Sequence, residues 1–93
     1  GGSLMRAVIT VIGKDKVGIL AKVSEKCAEY NANITDVTQS ILQDMFVMIM
    51  FVDITNLKIQ LKDLSAILEN TGNELNLKIH VMHEDIFNAM HRI

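Results

Sequence analysis

The order of apolar and polar positions along the chain divides it into seven segments. Met5 to Ile12 is a β-branched apolar run with Arg6 and Thr10 as its only polar members. It predicts a strand buried on one face and largely covered on the other. From Val17 the period changes. Val17, Leu20, Val23, Cys27 and Ala28 recur at three and four, opposite Lys22, Glu25, Lys26 and Glu29, which predicts an amphipathic helix. Tyr30-Asn31-Ala32-Asn33 closes that helix, because asparagine tolerates the left-handed backbone that helix ends use. Ile34 to Leu42, with Thr35, Val37, Thr38 and Ile41, is the most polar candidate strand and belongs at a sheet edge.

Gln43-Asp44 is a plausible tight turn into Met45 to Val52, an unbroken apolar run bounded by Asp44 and Asp53. A run this short reads as a central strand with both faces covered. Thr55 or Asn56 is placed to cap a second helix that carries Leu57, Leu61, Leu64 and Leu68 on one stripe. Thr71-Gly72-Asn73 is placed to stop it as a glycine C-cap. Leu75, Leu77, Ile79 and Val81 then alternate with polar residues, as in a half-buried strand. Glu84 to Ile93 carries Ile86, Phe87, Met90 and Ile93 on one side, led by acids and ended by His91-Arg92, which suits a short terminal helix and its dipole.

The resulting order of two strand–helix–strand units is the split βαβ pattern. It predicts an α+β, ferredoxin-like βαββαβ sandwich with an extra short C-terminal helix. Both helices should cover one face of an antiparallel sheet. The central strands are apolar on both faces, so the helix-free face should be hidden by the terminal helix, a second subunit, or both.

Composition narrows the function classes. The 93 residues make one domain, and Gly1-Gly2-Ser3 reads as an expression-tag remnant before a single domain over 4–93, whose native start is Met5 or Leu4. Nine Lys/Arg against eleven Asp/Glu leave a net charge of -2, which provides no strong field toward nucleic acid or an anionic membrane. One cysteine excludes an intramolecular disulfide and suits a reducing, cytoplasmic setting. Cys27 lies on the apolar stripe of the first helix and reads as an inert small hydrophobe. His80 and His83 are three apart at a strand end, which places them on opposite faces, and no preorganised metal-ligand set emerges. No nucleophile–base–orienter set can be named either, so no catalytic residue, metal or cofactor is expected and the chain does not read as an enzyme. The central strands also lack the aromatic and basic residues with which RNA-binding sheets stack bases.

The chemistry concentrates in Gly13-Lys14-Asp15-Lys16-Val17-Gly18-Ile19-Leu20, between the first strand and the first helix. A helix start exposes backbone N–H groups and partial positive charge, a cradle for a carboxylate. Gly18 permits close approach of a ligand, and Asp15 either accepts from a ligand ammonium or caps the helix. A phosphate loop is excluded, since Ile19-Leu20 stand where Lys-Ser/Thr would be required.

The run Asp15-Lys16-Val17-Gly18-Ile19-Leu20-Ala21-Lys22-Val23, followed by Asn31-Ala32-Asn33-Ile34, resembles the ACT domain family from about Met5 to Met82. The whole chain is similar to small stand-alone bacterial ACT proteins and to the sensing halves of the glycine-cleavage transcriptional repressor. The resemblance implies regulatory binding of an amino acid, commonly at an interface between two ACT modules. It places ligand contacts on Gly13, Asp15, Gly18 and Asn33, with the backbone amides of Val17, Ile19 and Leu20 nearby. Val17 stands where the family commonly has proline, and Gly13 where some serine-sensing members have histidine. Asn33 serves either the ligand or the backbone of its own turn. The expected partners are a second copy of the chain, a small amino acid and a regulated protein. The alternative is a homodimeric interaction module with no small ligand.

Overall fold

The computed structural model describes residues 5–14 and 18–90. Its elements are β1 (Arg6–Gly13), α1 (Ile19–Glu29), β2 (Asn33–Leu42), β3 (Met45–Asp53), α2 (Leu61–Glu74), β4 (Lys78–His83) and α3 (Glu84–Met90). The strands form one four-stranded sheet in the order β2-β3-β1-β4, with every neighbouring pair antiparallel. This is the ferredoxin-like α+β fold that the periodicity predicts, with β2 at an edge and the two most apolar strands in the centre.

Alternation along the central strands builds the core. Ala7, Ile9 and Val11 of β1 and Phe46, Met48, Met50 and Val52 of β3 are buried on one face, with Ile19, Val23, Cys27, Leu64 and Leu68 from α1 and α2 in the same cluster. Burying each such aliphatic side chain contributes about 1.5–3 kcal/mol. The opposite face is only partly covered. Val8 is buried there beside Phe51 and Met82, and Phe87 of α3 meets Phe51 edge-on at 5.8 Å. The Arg6 guanidinium lies 5.6 Å from the Phe51 ring centroid and pairs with Glu84. The terminal helix therefore covers one end of this face, whereas Thr10, Ile12, Val47 and Ile49 remain half-exposed toward the other.

Three boundaries differ from the periodicity reading. The buried stripe of α1 is Ile19, Val23 and Cys27, while Leu20 and Ala28 point outward. Gly18, left-handed at φ 75°, precedes the helix, and the buried residues form an i, i+4 row. Val17 lies outside the described residues, as do Gly1–Leu4, Asp15, Lys16 and His91–Ile93.

The second difference is the start of α2, with Gln60 as its N-cap instead of Thr55 or Asn56. The Asp53 carboxylate accepts from the Thr55 amide at 2.9 Å, and the Thr55 hydroxyl accepts from the Met5 amide at 3.2 Å. Hydrogen bonding from the Thr55 side chain first, and from its backbone amide second, lowers the Asp53 pKa, and these contacts commit Thr55 to a turn after β3. Leu57 lies one helical turn before Leu61 yet packs on the core from a loop.

The third is the end of α2. Gly72 is buried inside the helix, which runs on to Glu74, and the left-handed residue is Asn76 at φ 58°. A Cβ on Gly72 would stand 2.9 Å from Ile79 Cγ1 and 3.0 Å from the Leu77 carbonyl oxygen. That glycine lets α2 approach β4 closely. β4 consequently starts at Lys78, and Leu75 becomes the helix cap.

Candidate functional site

The start of α1 is open. Gly18 is exposed and a Cβ there would meet nothing within 4 Å among the described residues. The first helical bond runs from the Lys22 amide to the Gly18 carbonyl at 3.0 Å. Gly18 supplies no side-chain cap, and the first turn of α1 carries no acidic residue. The first amides of the helix, those of Ile19 and Leu20 among them, thus have no intrahelical acceptor and keep the positive end of the dipole. A carboxylate is the chemical complement of such an end. Asp15 and Val17, the remaining members of the expected loop site, lie outside the described residues.

Gly13 also has a part in packing. It is buried at the end of β1, and a Cβ there would displace Leu77 Cδ2. Ile19 turns its side chain into the core, leaving its backbone for any ligand, whereas Leu20 is 40% exposed. Cys27, buried on the inner face of α1, has its thiol pushed up to about 11 by desolvation, which makes it unreactive at neutral pH.

Asn33 stands at the other end of the molecule. It pairs with Asp53, which also pairs with Arg6, whereas Gly13 pairs with Phe46. The full length of β1 separates the two rungs, about 23 Å at roughly 3.3 Å per step. Within one chain, therefore, Asn33 and the start of α1 are not brought together. This separation is implicit in the strand order but is not visible in the motif spacing.

Between the two ends runs β2, exposed along almost its entire length. Its residues Val37 and Ile41 share rungs with the buried Met50 and Phe46 yet are 39% and 60% exposed, so the helices leave these positions partly uncovered. A bulge at Thr35, whose hydroxyl donates to the Phe51 carbonyl at 3.1 Å, shifts the register near its start. The strand offers an unpaired edge flanked by apolar side chains, a surface suited to pairing.

The ACT domain pattern matches residues 5–82, which include β1, α1, β2, β3, α2 and all but the last residue of β4. The chain belongs to the ACT domain family. A UPF0237 protein of Listeria monocytogenes serotype 4b is 51% identical over 89 residues, spanning 96% of this chain and all of that one. Among solved structures, an ACT domain protein from Streptococcus pneumoniae aligns with a TM-score of 0.79 at 42% identity, covering 96% of this chain and 100% of that one. A protein assigned as a glycine cleavage system transcriptional repressor aligns with a TM-score of 0.72 over 88% of this chain and 47% of its own. At 21% identity, that likeness concerns the fold alone. ACT domains generally serve as regulatory binders of small molecules. No helix among the described residues is long and apolar enough to cross a membrane.

Proposed function

We propose that this ACT domain is a cytoplasmic, regulatory homodimer that holds a small amino acid between its subunits. The observation that carries the reading is the start of α1, which among the described residues has no side-chain cap and no atom over Gly18. A carboxylate there would receive the backbone amides of Val17, Ile19 and Leu20, and the amine would be met by Asp15 or Asn33. Because Asn33 is remote from this helix start within one chain, it can contribute only from a second subunit. Two β2 strands pairing antiparallel about a two-fold axis would continue the sheet and carry the partner subunit's Asn33 toward the Gly13 end of this chain. Pairing would also cover Val37 and Ile41. The ligand would favour this arrangement of subunits to the extent that it binds it more tightly than others. Nothing in the reading needs a nucleophile or a general base, so the role is regulatory rather than catalytic.

Thermal-shift measurements with the standard amino acids test the proposal, because a ligand in excess of its dissociation constant raises the melting temperature. A selective shift, lost in Asp15→Ala without loss of fold, is expected. Silence across the panel from a stable dimer would leave the interaction-module reading in its place.

A further inference from the structure

A second hollow lies at the same end of the sheet, away from β2. It encloses about 420 Å³ and is lined by Ile12, Gly13, Lys14, Met45, Leu75, Asn76 and Lys78. That volume is within the range of small-molecule sites, roughly 300–1,000 Å³. Ile12, Met45 and Leu75 give it an apolar floor, and this accounts for the 39% exposure of Leu75 at the end of α2. Among the described residues, its charged lining is Lys14 and Lys78.

Among the described residues, the acid that pairs with one of these lysines is held loosely. Asp44 approaches Lys14 at 3.9 Å, but both side chains are about three-quarters exposed, so the contact is weak and readily exchanged. The carbonyls ending α2 are also engaged, since those of Thr71, Gly72 and Asn73 accept from the amides of Leu75, Asn76 and Leu77. An anion in the hollow would have the Lys14 and Lys78 side chains for counter-charge.

We propose that this hollow binds a small aliphatic carboxylic acid, its carboxylate on Lys14 and Lys78 and its hydrocarbon part on Ile12, Met45 and Leu75. An amino acid suits it poorly, because its own ammonium would face the two lysines. The site differs from the one at Gly18 in its lining, although Gly13 borders both, and it selects acids that lack the amine.

The test is a backbone NMR titration of the full chain with isocaproate, its neutral amide isocaproamide, leucine and inorganic phosphate. Isocaproate should give saturable shifts centred on Gly13, Met45, Asn76 and Lys78, with the amide, leucine and phosphate markedly weaker there. Lys14 and Lys78 are solvent-exposed, so Lys14→Gln and Lys78→Gln leave the fold intact. Each should weaken isocaproate by about two- to five-fold, as an exposed ion pair does. Equal binding of the amide would overturn the role of charge, and equal binding of phosphate the role of the apolar floor. Unchanged affinity in both variants, or shifts only at Gly18 and Asn33, would overturn the site while leaving the proposal at α1 standing.

Discussion

Replacing Gly72 with alanine sets two effects of known sign against each other. In an open helix the change is favourable by about 0.8–1.0 kcal/mol, because alanine has the higher helix propensity. Here the new Cβ would lie 3.0 Å from the Leu77 carbonyl oxygen and 2.9 and 3.2 Å from two atoms of Ile79. Ile79 can rotate, but the Leu77 backbone cannot retreat freely, since the Leu77 amide donates to the Gly72 carbonyl at 2.8 Å. Overpacking of this kind costs about 1–3 kcal/mol. The clash should prevail, leaving Gly72→Ala less stable by about 1 kcal/mol, or roughly 4–8 °C in melting temperature for a domain of this size. Gly72→Val should lose more, because two further carbons enter the same gap. Urea unfolding at fixed protein concentration measures both, with an unchanged slope marking a true stability difference. An alanine variant as stable as the parent would refute the reasoning, and would mean that α2 does not press against β4 as described.

Gly18→Ala should cost about 1–2 kcal/mol although its Cβ meets open space, because the penalty resides in the left-handed backbone. Gly18→Asn should recover part of that loss in the same melt. Joint replacement of Val37 and Ile41 by lysine should abolish dimerisation in sedimentation velocity, while leaving subunit stability within about 0.5 kcal/mol, as for other exposed sites. Cys27 should resist thiol reagents at pH 8 until the protein is unfolded. Its folded pKa, about 11, exceeds the ordinary 9.0, so its contribution to stability is complete below pH 9.0 and is lost as the pH rises through about 11. Cys27→Ala should remove that alkaline slope in urea midpoints measured against pH.

The fold was legible because hydrophobic period and strand length are local properties. The unbroken run from Met45 and the polar run from Ile34 placed β3 in the centre and β2 at the edge without knowledge of the partners. Asn31, at φ 67°, takes the left-handed turn expected of it after α1. Gly72 was misleading because a glycine near a helix end has the same local signature whether it closes the helix or admits a neighbouring strand. Leu57 misled likewise, since a leucine one turn ahead of a helical stripe fits an extended loop as well as a helix. The candidate site was legible as a set of residues but not as an arrangement. The motif spacing holds Gly18 and Asn33 close in sequence, yet α1 carries the chain from one end of the sheet to the other between them. The hollow beside Lys14 and Lys78 had no sequence signal, because it depends on where β1, β3 and the turn before β4 converge.

The central claim is that one subunit's helix start and the other subunit's Asn33 complete a single amino-acid site. Subunit exchange between Asp15→Ala and Asn33→Ala dimers addresses it most directly, using calorimetry with the amino acid that raises the parent melting temperature most. Each variant alone should fail to bind, and the mixture should regain part of the parental binding, because mixed dimers contain one site built wholly from unaltered residues. A mixture as silent as its components, or an Asn33→Ala dimer that binds like the parent, would contradict the account.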